Sequence, residues 1–351
     1  MTKGFQKFLI TPTASMKDAI HQIDELDVKL LIVTSIHGHL LGTVTDGDVR
    51  RALLKHLSLN SPVISIMNSE PKTLPYSGTE RGAKRLMKKY GLTGIPQVDN
   101  NNCVINVLGC ESNRIRRNNA VFLMAGGFGK RLRPLTDDCP KPMLKVGERP
   151  ILETILQQFI DAGFYNFFIS THYLNKQIED YFGNGDRFGV SISYVNEKTP
   201  LGTAGAIGFL PEEAKKLPLL MMNGDLLTQV KFDELLEYHV NEAADLTVAV
   251  RDYQMQVPFG VIQHDGVAIT EIVEKPVNSY FVNAGIYCLS PEALSTVMPN
   301  RLLDMPDLIQ NRLNQKHKVA MFPIHEYWLD IGRISDFEQA QADILQFRGV
   351  A

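Results

Sequence analysis

The segment that most limits what this chain can fold into is a continuous apolar strand, Ala120-Val121-Phe122-Leu123-Met124. It runs directly into Ala125-Gly126-Gly127-Phe128-Gly129-Lys130-Arg131-Leu132-Arg133. Glycines placed after the first strand of an α/β sheet let backbone N–H groups approach phosphate oxygens closely. They equally serve a tight strand-to-loop turn. Two familiar phosphate loops fail here. A P-loop needs Ser or Thr after its lysine and a glycine at the position of Met124, whereas Lys130 is followed by Arg131. The dinucleotide fingerprint needs a third glycine where Leu132 stands.

The residues that follow narrow the chemistry. Arg131 and Arg133 add charge to the loop, and Pro140-Lys141-Pro142 holds another cation between two rigid residues. The chain as a whole is not cationic: 36 Lys+Arg against 39 Asp+Glu give a net charge of −3. Bulk electrostatics therefore exclude a nucleic-acid binder, and any phosphate site must be local. No apolar run approaches ~18 residues, and Met1–Gln6 leads into no stretch of secretory length. Membrane partners are not expected. Cysteines at 103, 110, 139 and 288 lack the spacing of a zinc or redox motif and read as free thiols in a reducing compartment.

From Ala120 onward, short apolar strands alternate with amphipathic helices, which predicts a mixed, mostly parallel α/β sheet. Strands are expected at 120–124, 166–170, 217–222, 245–250 and 281–289, and helices at 151–162, 175–182, 232–241 and 335–346. Residues 1–110 read as two copies of one unit, with a period of roughly 65 residues that is too long for a solenoid. The first has a helix capped by Ser15, a strand Leu30–Thr34, a second strand Leu40–Val44 and a helix from Asp46. The second has a helix over 77–90 and strands 94–99 and 104–108. The polar, basic stretch Glu111–Asn119 reads as a connection. The divisions are 1–60 and 61–112 for the repeats, 113–119 for the linker and 120–351 for the remaining domain.

Two further segments carry candidate chemistry. Pro200-Leu201-Gly202-Thr203-Ala204-Gly205 is a second small-residue loop opening a helix, open to a packing role as well as a binding one. Leu219–Asn223 is an apolar strand whose polar tip ends in Gly224-Asp225. Ligands of open α/β sheets bind beyond the carboxyl ends of the strands, so Asp225 is placed to hold a hard cation such as Mg²⁺. It could also form an Asx-type turn. His172-Tyr173 reads as capping or packing more readily than as part of a site.

Leu123 to Pro142 resembles the signature of the sugar-1-phosphate nucleotidyltransferases, the nucleoside-diphosphate-sugar pyrophosphorylases. That signature is Gly-Gly-x-Gly-x-Arg-Leu-x-Pro-Leu-Thr followed by Pro-Lys-Pro. Lys130 departs from it, standing where the family usually has Thr or Ser. The resemblance implies a Rossmann-like, GT-A-like catalytic domain. It implies that Leu123, Ala125, Gly126, Gly127, Gly129, Gly202 and Thr203 bind the nucleotide, with Glu197 near the base. Arg131, Lys141 and Lys275 would be the catalytic cations. Glu274-Lys275-Pro276 and Val282–Tyr287 match sugar-pocket segments, so Asn223, Glu274, Asn283 and Gly285 would bind the sugar. Asp225 and Asp330, the latter in Tyr327–Gly332, would bind Mg²⁺. Only one helix is expected after Asp330, which leaves no room for the C-terminal acyltransferase β-helix that some relatives carry.

Gly42–Arg50 resembles the end of a cystathionine-β-synthase (CBS) domain, with Thr45 and Asp46 where that family contacts the ribose of an adenine nucleotide. The second copy ends Leu108-Gly109-Cys110-Glu111 and lacks a matching Thr-x-x-Asp. The pair is thus open to an adenine-nucleotide partner or to a structural, dimerising role. The layout resembles bacterial sugar-1-phosphate guanylyltransferases. It implies a cytoplasmic homodimer or higher homo-oligomer acting on a nucleoside triphosphate, GTP before UTP or dTTP, and a glucosamine, mannose or heptose 1-phosphate. A nucleotide sensor with an inactive transferase domain and an assembly protein joined through its CBS pair are the readings from other classes.

Overall fold

A computed structural model describes residues 5–26, 29–109, 116–197 and 199–347. The chain divides into two compact units, Met1–Ile115 and Arg116–Ala351. Cys110 and residues 111–115, which include the first three of the expected linker, lie outside the described residues. Residues 117–119, read as linker, are instead the start of the first strand of the second unit.

In the first unit, β1 (Leu9–Ile10), α1 (Met16–Asp24), β2 (Leu30–Thr34), β3 (Leu40–Thr45) and α2 (Asp46–Leu54) form one repeat. The other comprises β4 (Leu74–Pro75), α3 (Glu80–Tyr90), β5 (Gly94–Val98) and β6 (Val104–Gly109). Each has a three-stranded sheet of the same plan, β1-β2-β3 and β4-β5-β6, with the first pair parallel and the second antiparallel. Local chemistry sets the helix starts. Ser15 Oγ accepts from the Asp18 N–H at 3.1 Å while the Asp18 carboxylate accepts from the Ser15 N–H at 3.0 Å, a capping box. Helix α3 begins at Glu80, three residues later than 77, because Thr79 is the residue that caps it. The two hairpin tips pair with each other: Leu40 N–H donates to Asn102 O and Val104 N–H to Gly38 O.

The second unit opens with β7 (Arg117–Met124), followed by β8 (Lys145–Val146), β9 (Arg149–Pro150) and α4 (Ile151–Asp161). Next come β10 (Phe164–Thr171), α5 (Asn175–Phe182), β11 (Ser191–Asn196), the single turn α6 (Gly202–Gly205) and β12 (Leu219–Asn223). Then follow β13 (Leu226–Thr228), α7 (Phe232–Asn241), β14 (Leu246–Gln256), β15 (Val261–Asp265), β16 (Ala268–Val273) and β17 (Val277–Leu289). The unit closes with α8 (Pro291–Ser295), α9 (Met305–Asn314), β18 (Val319–Ile324), β19 (Trp328–Asp330) and α10 (Ile334–Phe347).

Seven strands form the main sheet in the order β11-β10-β7-β12-β17-β14-β18. All pairs are parallel except those made by β17, so the sheet is mixed and mostly parallel. Strand β7 lies inside the sheet between β10 and β12, and its alternating side chains feed two cores. Val121 and Leu123 pack with Ile155, Phe159 and Ile178. Ala120 and Phe122 pack with Ala204, Ile207, Leu294 and Leu308 on the other face. Burial on both faces is why residues 120–124 of this strand are all apolar. Truncating a ring as deeply buried as Phe122 typically costs about 3–5 kcal/mol. Strands β14 and β17 run on past the sheet, with Tyr253, Met255, Val277 and Tyr280 exposed.

Candidate active site

The site begins where β7 and β12 end side by side. Gly224 N–H donates to Met124 O at 2.8 Å, and a Cβ on Gly224 would sit 2.5 Å from that oxygen. Only glycine fits this approach, which starts Asp225 on its path away from the sheet. Residues 226–228 then pair antiparallel with β19, in the register Leu226↔Asp330, and Ile331 N–H donates to Asp225 O at 3.1 Å. This small ribbon brings the two aspartates, distant in sequence, to neighbouring backbone positions.

Two cations come to the same place. Lys141 is buried, and its Nζ is ion-paired with Asp225 Oδ2. The Arg131 guanidinium lies beside Gly332, its two terminal nitrogens 3.6 Å from where a Cβ would be. The Asp330 carboxyl is held above the usual carboxylate range by desolvation and by the Asp225 charge, against the opposing pull of Lys141 and Arg131. A pair of carboxylates at neighbouring backbone positions, one of them raised by the charge of the other, suits a hard divalent cation. Asp225 and Asp330 therefore fit a Mg²⁺ ion.

The glycine loop flanks this cluster. Gly129 has φ +63°, and a Cβ there would meet Thr136 Cγ2 at 2.9 Å and Lys141 Cβ at 3.1 Å. The loop thus closes against the lysine-bearing segment. Gly127 has open space around it, as an approaching phosphate would need. Leu123 and Ala125 are buried behind it, with Ala125 N–H donating to Ser170 O at 2.9 Å. Arg133 points elsewhere, exposed and paired with Asp137 at 3.1 Å. Lys130 Nζ lies over the Phe128 ring, 5.5 Å from its centroid. Phe128 in turn packs edge-on to His172, whose Nδ1 is 2.7 Å from Glu197 O.

Next to Gly126, Glu197 is buried, with Oε1 accepting from Ser170 Oγ and Oε2 from the Leu201 N–H at 2.9 Å. One oxygen is thus committed to Ser170 of β10 and the other to the Leu201 backbone. Gly202 has φ +77°. Thr203 donates N–H to Asp304 Oδ1 at 2.9 Å, and its Oγ1 accepts from the Met305 N–H at 2.7 Å. Thr203 therefore supplies the start of α9 with a cap from another element, the packing role its loop could have.

The sugar-side residues fall into two groups. Asn223 Nδ2 would be 2.7 Å from a Cβ on Gly285, whose φ is +72° and whose N–H donates to Asn283 Oδ1 at 2.9 Å. These three share one place, close in chain to Asp225. Glu274 and Lys275 sit instead on the exposed arm after β16. Lys275 takes φ +46°, and its N–H donates to Phe259 O at 3.3 Å. Among the described residues, neither side chain contacts the aspartate cluster.

Asp336 escaped the sequence reading. It accepts from the Gly332 and Arg333 N–H groups at 3.1 and 2.8 Å, starting α10, and its charge also raises Asp330. A carboxylate three residues into a helix is the only signal for it. A second convergence, Asp245, Glu292 and His317, has its ligand atoms within 4.8 Å of one another. It already holds a positive charge, because Arg312 Nε donates to Asp245 at 2.6 Å and Nη2 lies 3.6 Å from Glu292.

In the first unit, Thr45 caps α2, its Oγ1 donating to Asp48 Oδ2 at 2.7 Å. Asp46 pairs with the fully buried Arg50. Both candidate ribose contacts are thus engaged within the helix they begin.

Comparison with known proteins agrees with this architecture. The nucleotidyl transferase family model matches residues 120–346, and the CBS domain model matches residues 1–55. The chain is 31% identical over 229 residues to the mannose-1-phosphate guanyltransferase of Pichia angusta, covering 62% of this chain and 61% of that protein. It is 31% identical over 235 residues to the mannose-1-phosphate guanylyltransferase of Mycobacterium tuberculosis, covering 65% of each. The chain thus spans about three-fifths of the length of these curated relatives. Among solved structures, HddC from Yersinia pseudotuberculosis superposes with a TM-score of 0.50 at 25% identity, covering 64% of this chain and 99% of that one. From Bacillus anthracis, a protein assigned as a glucose-1-phosphate thymidylyltransferase gives 0.53 at 24% identity, over 64% and 94%, which speaks to the fold alone. With residues 120–346 matched, the chain belongs to the nucleotidyl transferase family and carries a CBS domain at its N-terminus.

Proposed function

We propose that this protein transfers the nucleoside monophosphate of a nucleoside triphosphate to a sugar 1-phosphate, releasing pyrophosphate. The supporting observation is the convergence of Arg131, Lys141, Asp225 and Asp330 beyond the ends of β7 and β12. An oxygen of the sugar phosphate attacks the α-phosphorus in line, and the bond to the β-phosphate oxygen breaks. A phosphate monoester has a second pKa near ~6, so the nucleophile is anionic without a general base. The obstacle is the meeting of two anions, and catalysis is positioning plus electrostatic stabilisation. Arg131 steadies the β- and γ-phosphates and the departing pyrophosphate. Lys141 exchanges Asp225 for the α-phosphoryl oxygens. Lys275 holds the sugar phosphate when the arm folds onto it, and Glu274, Asn223, Asn283 and Gly285 bind the sugar. Asp225 and Asp330 would hold Mg²⁺, which when bound would supply charge neutralisation for the phosphates.

We favour GTP and a mannose-, glucosamine- or heptose-type sugar 1-phosphate, because the guanylyltransferase relatives match at about 30% identity. The reaction is assigned to the cytoplasm and to a homo-oligomer, and an adenine nucleotide at the CBS domain is the candidate effector. No helix among the described residues is long and apolar enough to cross a membrane. The test is a pyrophosphate-release matrix of GTP, UTP, CTP, dTTP and ATP against mannose, glucosamine, heptose and glucose 1-phosphates, repeated with AMP. The expected result is release with GTP and one of the first three sugars. No release from any pair would overturn the assignment.

A further inference from the structure

The segment Met298–Asp304 lies against Leu201–Phe209 without slack. A Cβ added at Gly202 would be 2.6 Å from Leu303 O, at Gly205 2.5 Å from Arg301 O, and at Gly208 2.7 Å from Met298 O. Glycine at every third position lets one backbone rest directly on the other. Leu303 N–H donates to Leu201 O at 2.9 Å, and Leu303 O accepts from the Ala204 and Gly205 N–H groups at 2.9 and 3.0 Å. A displacement of this segment cannot be absorbed by a side chain; it passes to the 201–205 turn.

The far side of the same segment lines a cavity of about 310 Å³. Met298, Leu303 and Leu308 are its apolar lining, and Thr296, Arg301, Asn311, Arg312 and Gln315 its polar lining. Arg312 is only 3% exposed and fully occupied: its nitrogens donate to Asp245 at 2.6 and 3.0 Å and to Gln315 Oε1 at 3.0 Å. Arg301 differs. Its guanidinium makes no hydrogen bond or ion pair with any described residue, the Asn311 side chain makes none either, and no carboxylate lines the cavity. An uncommitted planar guanidinium and a free amide lining the same cavity as Met298, Leu303 and Leu308 match a compact oxyanion joined to a short carbon body. The volume is at the lower limit of small-molecule sites, about 300 Å³, and is too small for a nucleotide sugar.

We propose that this cavity is a second, regulatory site that takes a small phosphate monoester on Arg301, and that the Met298–Asp304 segment transmits its occupancy to the nucleotide. The second half rests on Gly202 and Thr203 bordering the nucleotide, as in the proposed function. The test uses the full chain, with glycerol 3-phosphate and inorganic phosphate as probes, titrated calorimetrically with and without saturating nucleoside triphosphate. Glycerol 3-phosphate should bind in both conditions. Arg301→Ala should weaken it at least ~10-fold, the scale of a lost charge-assisted hydrogen bond. Asn311→Leu should weaken it less, and both variants should unfold at the wild-type temperature because the altered side chains are exposed. The probe should also shift the triphosphate KM of the wild type and leave that of Arg301→Ala unmoved. Equal affinity in wild type and Arg301→Ala overturns the site. Binding of inorganic phosphate alone overturns the monoester assignment. Arg301-dependent binding with an unmoved KM overturns the transmission. Failure of nucleotidyl transfer itself would leave the calorimetric result readable, so the two proposals fail separately.

Discussion

Lys141 and Arg131 earn their places by what they oppose. Asp225 and Asp330 approach each other, and desolvation adds to their repulsion, so Asp330 holds its proton more readily than an ordinary carboxyl. Removing either a carboxylate or a facing cation should unbalance the site without disturbing the core, since Asp225 and Arg131 both reach solvent. Asp225→Ala and Arg131→Ala are each expected to lower kcat at least ~100-fold, the scale for losing one preorganised electrostatic group. Pyrophosphate release measured on folded variants checks this, and near-normal turnover in either would remove that residue from the mechanism. A second residue-scale expectation concerns His239, buried with Nδ1 2.8 Å from Thr247 Oγ1. Desolvation pushes its pKa from 6.5 down to about 4. The unfolded chain therefore takes up a proton below pH 6.5 that the folded chain refuses until about pH 4, so stability falls with pH across that window. His239→Gln should lose less Tm than the wild type between pH 7 and 5; parallel slopes would contradict it. Arg131, Lys141 and Asp225 were visible as residue types in the sequence. The Lys141–Asp225 pairing was not, because 84 residues separate them and no local pattern links them.

At the scale of elements, the strand–loop–strand arrangement was legible because the cores of β7, β10 and β12, residues 120–124, 167–169 and 219–222, are apolar runs bounded by glycine or polar tips. The β13–β19 ribbon was not, since three residues such as Leu226–Thr228 carry too little pattern to distinguish a strand from a turn. Yet that ribbon is what joins the two aspartates. The length of β14 and β17 was also hidden: their outer halves, past Val250 and before Phe281, lie beyond the core, so the burial that marks a strand in sequence stops where the sheet stops. The small-residue loop at 201–205 read equally as binding or packing, and its hydrogen bonds show packing in detail. Gly202→Ala is the test that separates the two. With φ +77° and only 2.6 Å to Leu303 O, the new Cβ should cost on the order of 1–3 kcal/mol. If the turn also borders the nucleotide, the triphosphate KM should rise more than kcat falls. A loss of Tm with unchanged KM would reduce the turn to packing alone.

At the scale of the whole molecule, two compact units carry separate cores. One gathers Ile23, Leu31, Val33, Val44 and Val49; the other is the pair of clusters on the two faces of the seven-stranded sheet. The period in the first 110 residues and the change to strand–helix alternation made this division legible. The first residues of β7 were not legible because Arg117–Asn119 is polar, although its backbone pairs as a strand edge leaving the core. Units with their own cores can fold independently. A chain of residues 116–351 should therefore unfold in a single cooperative transition and retain the basal transfer activity. If the CBS domain is regulatory, AMP or ATP should change the rate or the triphosphate KM of the full chain and leave the truncated chain unaffected. Thr45 and Asp46 are committed within α2, so a nucleotide there must compete with Asp48 and Arg50 for the same oxygens. That competition predicts a weak effector, with half-maximal response well above that for the triphosphate substrate. An effect that survives truncation would place the adenine nucleotide in the transferase unit, and no effect on the full chain would leave the N-terminal unit a structural one.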